Sequence, residues 1–273
     1  MTIDGKTLVF GILGRPVSHS LSPAMHNAAF HHLGVNAVYT AFPVTDLAQA
    51  VAGLRGLGIR GVSVTIPFKE EVIPLIDELA PQAAHIGAVN TVVNRGGRLI
   101  GYNTDWQGAV TALRTQVDLK DRQVLVLGAG GASRAIVFGI IDAGGRVTLT
   151  DVDMARAAAV VRDLGAVAIP PDALARCPAD ILVNATPVGM APEVEGIPLA
   201  PELLDRFAVV MDIVYQPLTT RLLREAQARG AATVDGLQML IHQGTAQFEL
   251  FTGLDAPGAV MARAAYGALT AEA

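Results

Sequence analysis

Two sets of residues in this 273-residue chain have types and spacing that can do chemistry. The first is Gly128-Ala129-Gly130-Gly131-Ala132-Ser133, which follows the apolar run Val124-Leu125-Val126-Leu127. Glycines here let the backbone turn sharply and approach a ligand where a Cβ would collide. The helical composition of Ala132 to Ala143 sets free N–H groups and a positive dipole end beside the loop, which suits a pyrophosphate. This is close to the dinucleotide fingerprint, with Ser133 in place of its third glycine. A further strand, Arg146 to Thr150, ends in Asp151, roughly twenty positions after Gly128, where the fingerprint has the acid that binds ribose hydroxyls.

The second set is polar and scattered. Ser20 and Ser22 follow the first strand, Thr65 and Lys69 flank the end of the third, Asn184 and Thr186 follow a later one, and Asn90 and Asp105 sit at loop ends. Ligands of open α/β sheets bind outside the carboxyl ends of the strands. One lysine, one aspartate and several hydroxyls and amides suit a neutral, polyhydroxylated substrate and the movement of a proton. Singly, each has a plainer reading: Ser22 and Asp105 as helix caps, Lys69 as a solvated lysine, Asn90 as a turn residue.

The elements that position them alternate. Thr7 to Leu13, Ala37 to Pro43 and Gly61 to Ile66 read as strands, with helices from Pro23 to Leu33 (Ser22 as its N-cap) and from Thr45 or Asp46 to about Leu57. Beyond Phe68-Lys69-Glu70-Glu71 a helical stretch is expected to lead to Ala88-Val89-Asn90. Gly96-Gly97 between Thr91–Arg95 and Arg98–Tyr102 is a hairpin signal, and a helix follows from Trp106 to Gln116. The polar segment Asp118 to Arg122 reads as a boundary before the nucleotide unit. That unit continues with strands near 181–183, 209–212 and 233–235 and helices Met154–Leu164 and Thr219–Arg229. A last helical region starts at Gly236. The expected class is α/β, with two domains separated by a cleft: an α/β substrate domain and a doubly wound, Rossmann-like nucleotide domain.

Composition agrees with a sizeable core: 51% of residues are hydrophobic and 16% charged. A net charge of −5 without a basic run excludes a nucleic-acid backbone partner. The single cysteine, Cys177, is expected to be a structural thiol in a reducing compartment. No signal-peptide pattern opens the sequence and no apolar run reaches about 18 residues, so a cytoplasmic protein without membrane partners is expected. His19, His26, His31 and His32 lack a recognised ligand spacing, so no metal is expected.

Motifs in order along nearly the whole chain resemble those of the shikimate dehydrogenase family. They are Gly14-Arg15-Pro16-Val17-Ser18-His19-Ser20-Leu21-Ser22-Pro23, Val64-Thr65-Ile66-Pro67-Phe68-Lys69-Glu70, Gly87-Ala88-Val89-Asn90-Thr91, Gly101-Tyr102-Asn103-Thr104-Asp105, the glycine loop, Asn184-Ala185-Thr186-Pro187, Tyr215, and Asp235-Gly236-Leu237 with Gln243. The resemblance implies reversible oxidation of shikimate to 3-dehydroshikimate by a nicotinamide cofactor, without metal. It implies that Ser20, Ser22, Thr65, Lys69, Asn90, Asp105, Tyr215 and Gln243 bind substrate and that Lys69 moves the proton with Asp105. It also implies a substrate-binding domain of residues 1–105 plus 237–273, whose last helices return to it, and an NAD(P)-binding Rossmann domain of residues 106–236. The cofactor positions expected are Gly128, Ala129, Gly130, Gly131, Ala132, Asp151, Arg156, Thr186, Ile213 and Gly236.

Members of that family that use NADP carry Asn-Arg-Thr where this chain has Asp151-Val152-Asp153. A carboxylate at 151 accepts bonds from both adenosine-ribose hydroxyls and repels a 2′-phosphate, so NAD is expected over NADP, with Arg156 as the residue that would keep NADP possible. Ser63 replaces a frequent asparagine and Trp106 a frequent glycine. NAD-preferring members include quinate dehydrogenases, some with threonine at the position of Ser22; serine there favours shikimate over quinate. An aminoshikimate dehydrogenase and a silent sensor of these ligands are the other readings, and retention of Lys69 and Asp105 argues against the sensor. A monomer or homodimer is expected.

Overall fold

The computed structural model describes residues 3–271; Met1 and Thr2, which open the N-terminal stretch read above, and the last two residues lie outside it. The chain forms two compact units, one of Met1–Thr104 with Gln243–Ala273 and one of Asp105–His242.

In the first unit, β1 (Leu8–Gly14), α1 (Ser22–His32), β2 (Ala37–Pro43), α2 (Leu47–Gly56) and β3 (Gly61–Val64) alternate, and β1 pairs in parallel with both β2 and β3. Then come β4 (Glu78–Leu79), α3 (Pro81–Ile86), β5 (Thr91–Arg95) and β6 (Arg98–Tyr102), giving the sheet order β2-β1-β3-β5-β6-β4. Strand β5 runs antiparallel to β3 and to β6. The β5–β6 turn has positive φ at both Gly96 (63°) and Gly97 (93°), the conformation that a two-residue hairpin needs.

Two expectations fail here. Between Phe68 and Ala88 there is no continuous helix: a turn, a short 3₁₀ segment at Ile73–Leu75 and β4 precede the short α3. Pro74 and Pro81 cannot donate to a helical ladder, and Glu78–Leu79 pairs with Ile100–Gly101 instead. Nor does Ser22 cap α1. It is the first residue inside the helix, and its N–H donates to Ser20 Oγ (3.3 Å).

The second unit contains α4 (Asp105–Arg114), β7 (Gln123–Leu127), α5 (Gly131–Asp142), β8 (Arg146–Thr150), α6 (Met154–Leu164), β9 (Val167–Ala168), β10 (Ile181–Asn184), β11 (Val209–Asp212), α7 (Arg221–Ala228) and β12 (Ala232–Val234). Its sheet is wholly parallel, in the order β12-β11-β10-β7-β8-β9. Counted from β7, that is the doubly wound order whose reversal lies between β7 and β10. The central strands β7, β10 and β11 are apolar along most of their length because both faces are covered. Val124, Val126, Ile181 and Val183 face one core, and Leu125, Leu127 and Leu182 the other. The polar segment 118–122 is not a unit boundary, since α4 packs on α5: a Cβ on Gly139 would lie 2.8 Å from Val110 Cγ2, and Trp106 meets Phe138 edge-on.

Helix α8 (Gly236–Thr252) begins in the second unit and continues into the first, followed by α9 (Gly258–Ala271). In the first unit Phe248 and Phe251 join Phe10, Phe30, His26 and Tyr39 in an aromatic cluster, and α9 lies on α1.

Candidate active site

In a parallel sheet every carboxyl end falls on one edge. That edge of the second unit therefore carries the loops after β7, β8, β10, β11 and β12, and the ten expected cofactor positions lie on these loops or in the first turn of the helix that follows. Gly128 has φ +105°, and a Cβ there would meet the Ala185 carbonyl at 3.0 Å and Thr186 Cγ2 at 3.1 Å. Only glycine fits that backbone. Gly130 precedes α5, whose first residues are Gly131 and Ala132, so the helix N-terminus opens on the loop. Ser133, buried, donates from Oγ to the Gly128 carbonyl (2.5 Å), so serine at the third glycine position closes the loop rather than disrupting it.

Asp151 ties this loop to the end of β8. Its Oδ2 accepts from Ala129 N (2.7 Å) and its Oδ1 from Asp153 N (2.8 Å). A carboxylate oxygen has two acceptor sites, so each retains one for a ribose hydroxyl. Arg156 is exposed on the first turn of α6, and its Nη2 lies 3.6 Å from where a Gly130 Cβ would be. Val152, between them in sequence, is 98% exposed.

Beyond β10, Thr186 donates from N (3.1 Å) and from Oγ1 (2.6 Å) to Asn184 Oδ1. Asn184 Nδ2 donates to Asp212 Oδ1 (3.0 Å), which also accepts from Val214 N (3.0 Å), while Asp212 Oδ2 accepts from Thr220 Oγ1 (2.7 Å). Burial pushes the Asp212 carboxyl up to about 6. Asp212 and Thr220 were not among the sequence candidates; a carboxylate closing an apolar strand was the available signal. Ile213 and half-buried Tyr215 follow Asp212 in this loop. Gly236 lets α8 start against it, because a Cβ would stand 2.3 Å from the Ile213 oxygen.

The first unit has its own polar edge. The carboxyl ends of β1 and β3, the start of β5 and the end of β6 coincide there, through the registers Leu13↔Val64, Ser63↔Thr91 and Thr91↔Tyr102. This edge carries Ser20, Ser22, Thr65, Lys69 and Asn90. Thr65 N donates to the Leu13 carbonyl (2.9 Å), and the half-buried Lys69 is held through its carbonyl by Val89 N (2.8 Å). Asn90, 2% exposed, accepts at Oδ1 from Thr104 N and Thr91 Oγ1 (both 2.8 Å). Its Nδ2 donates to Thr104 Oγ1 (2.9 Å) and Gln243 Oε1 (3.2 Å). Asn90 thus fixes the residue that leads into Asp105, which is buried at the start of α4. Ser63 does not line the edge openly; it is buried and hydrogen-bonded to Tyr39 and Gln247. Among the described residues no group of three His, Cys, Asp or Glu side chains could hold a metal ion, and no helix is long and apolar enough to cross a membrane.

Fold and loop together define a two-domain α/β protein, one unit of which has the Rossmann topology with its glycine loop at the first strand. The family model described as the shikimate dehydrogenase substrate binding domain matches residues 12–92, and that of the shikimate 5′-dehydrogenase C-terminal domain matches residues 236–266. The chain is 47% identical to the shikimate dehydrogenase (NADP(+)) of Symbiobacterium thermophilum over 98% of its own length and 97% of the relative's. It superposes on the Thermus thermophilus shikimate 5-dehydrogenase in complex with NADP(H) and shikimate with a TM-score of 0.89 at 42% identity, covering 96% of this chain and 100% of that one. With the Listeria monocytogenes shikimate 5-dehydrogenase in complex with shikimate and NAD, the values are 0.86 and 35%, covering 96% and 97%. The chain belongs to the shikimate dehydrogenase family, a family of oxidoreductases.

Proposed function

We propose that this chain interconverts shikimate and 3-dehydroshikimate using a nicotinamide dinucleotide, and that it prefers NAD to NADP. In this reading residues 1–105 with 237–273 are the substrate-binding domain and residues 106–236 the NAD(P)-binding domain. A bound nicotinamide supplies the acceptor for the substrate's hydride, or its donor in the reverse direction. The loop from Gly128 to Ala132 fits the pyrophosphate, since it offers backbone N–H groups with no Cβ in the way, and Thr186, Ile213 and Gly236 border the same sheet edge.

On the substrate side, Lys69 Nζ takes the proton of the hydroxyl being oxidised and returns it in reduction. Asp105 works with it and accepts from a ring hydroxyl. Ser20, Ser22, Thr65, Asn90, Tyr215 and Gln243 bind the rest of the substrate. The hydroxyls and amides among them suit the ring hydroxyls and the oxygens of the ring carboxylate.

The NAD preference rests on Asp151. Its carboxylate, held by Ala129 N and Asp153 N, suits two ribose hydroxyls and opposes a phosphate in their place. The Symbiobacterium relative is named for NADP(+) and the Thermus structure holds NADP(H), whereas the Listeria structure holds NAD, so the preference is argued from this chain's own residues. Arg156, near the loop, is the residue that would work against it. The test is a two-by-two kinetic panel, shikimate and quinate against NAD and NADP. The expected result is highest kcat/KM for shikimate with NAD; a tenfold advantage for NADP would sink the cofactor reading, and preference for quinate the substrate reading.

A further inference from the structure

Behind the polar edge of the first unit runs a buried chain of side-chain hydrogen bonds. Tyr39 Oη donates to Ser63 Oγ (2.6 Å), and Ser63 Oγ to Gln247 Oε1 (2.7 Å). Gln247 Nε2 donates to the Asn90 carbonyl (3.0 Å) and to Thr91 Oγ1 (2.9 Å), and Thr91 Oγ1 donates to Asn90 Oδ1. All five side chains are at least nine-tenths buried.

The direction of this chain is dictated by groups that cannot reverse. A backbone carbonyl only accepts, so the Gln247 group facing the Asn90 carbonyl is its nitrogen. A backbone N–H only donates, so the Asn90 group facing Thr104 N is its oxygen. With both amides pinned, the hydroxyls follow. Thr91 accepts from Gln247 and must give its hydrogen to Asn90; Ser63 must donate to Gln247, and so accepts from Tyr39. Every bond runs toward Asn90. The far end also returns to the candidate site, because the Tyr39 phenol has the Ser22 hydroxyl as a hydrogen-bond neighbour.

We propose that Gln247, backed by Ser63 and Tyr39, is a positioning residue that reinforces, through Thr91, the Asn90 amide orientation that Thr104 N selects, and thereby holds the donor pattern offered to substrate. The inference rests on the reading of Asn90 as a substrate-binding residue. Gln247 touches no substrate itself. With its bonds in place, Asn90 turns Nδ2 toward Gln243 Oε1, which in turn orients the Gln243 amide. Without them, Thr91 Oγ1 is released from Gln247, and its hydrogen is no longer committed to Asn90. The Asn90 oxygen then loses the Thr91 hydroxyl as a committed donor beside Thr104 N.

The experiment compares Gln247→Met, Thr91→Val, Asn90→Ala and the Asn90→Ala/Gln247→Met double variant in full steady-state kinetics, with thermal unfolding as a check of folding. Methionine keeps the volume of glutamine without its hydrogen bonds, and valine that of threonine. Gln247→Met should raise the KM for shikimate by roughly two- to tenfold, the scale of one neutral hydrogen bond. Its kcat and its KM for the dinucleotide should stay near wild type, a split that general loosening of the fold would not give. Thr91→Val should do the same, which keeps the test open if Gln247→Met does not fold. In the Asn90→Ala background the Gln247 effect should vanish. A wild-type shikimate KM in folded Gln247→Met and Thr91→Val, or an undiminished effect in the double variant, overturns the relay alone. A wild-type shikimate KM in Asn90→Ala overturns the underlying site reading and the relay with it.

Discussion

At the scale of single residues, the proposed chemistry rests on Lys69 and the proposed cofactor choice on Asp151. Lys69→Ala removes the proposed proton acceptor while leaving the turn that carries it anchored through the residue's backbone carbonyl and Val89 N. Turnover should fall by roughly 10²–10⁴, the usual contribution of a positioned acid–base group, with a smaller change in the KM for shikimate. Near-normal kcat would take Lys69 out of the mechanism. Asp151→Asn keeps an oxygen to accept from Ala129 N and discards the charge. Its NADP/NAD ratio of kcat/KM should rise by roughly tenfold over wild type, since the term removed is repulsion of a phosphate. An unchanged ratio would assign discrimination to other residues of the loop. Both were candidates in the sequence: Asp151 from its distance to the glycine loop, and Lys69 from the family resemblance, since singly a lysine just past a strand reads as a solvated one. Gln247 and Asp212 were not. Ser63 lies far from Gln247 in the chain, and Asn184 from Asp212, and only the closed fold brings them within hydrogen-bond reach.

At the scale of elements, the loop between β7 and α5 is the part least tolerant of change. Gly128 combines a positive φ with backbone atoms of the 185–186 turn at 3.0–3.2 Å, and a backbone neighbour cannot swing aside as a flexible side chain would. Gly128→Ala should therefore cost about 1–3 kcal/mol in stability and raise the KM for the dinucleotide while sparing that for shikimate. Equal stability in urea unfolding would refute the strain argument. The apolar strand runs and the glycine hairpin were readable because each element's own sequence dictates them. The segment from Val72 to Leu79 misled for a physical reason: its closely spaced apolar residues, such as Val72, Leu75 and Ile76, suit a helix face. Pro74 interrupts the ladder, however, and Glu78–Leu79 finds a better partner in β6. Ser22 misled similarly. Its type suits a cap, but a buried place inside α1, next to Tyr39, claims the side chain instead.

At the scale of the molecule, each unit buries one group whose titration opposes the other's. In the first, His26 is fully buried and stacked on Tyr39 (4.4 Å between ring centroids), and neither ring nitrogen meets hydrogen-bond geometry with any described group. Burial lowers it from 6.5 to about 3, an effect that neighbouring Gln247 only partly offsets. Below pH 6.5 the unfolded chain binds a proton that the native unit refuses, so stability is lost as pH falls from 6.5 toward 3. In the second unit, Asp212 is raised from 3.8 to about 6. Here the native state holds the proton more tightly, so its contribution is complete below pH 3.8 and is lost as pH rises through 6. Each slope is at most about 1.4 kcal/mol per pH unit, and between pH 4 and 6 the two have opposite signs. The wild-type protein should therefore show a nearly flat urea midpoint across that window. Asp212→Asn, whose amide can still accept from Val214 N and bond Thr220, should unmask the histidine and give a midpoint that falls on acidification. His26→Phe should give one that rises. Parallel pH profiles for the two variants would show that neither buried group titrates as its surroundings require.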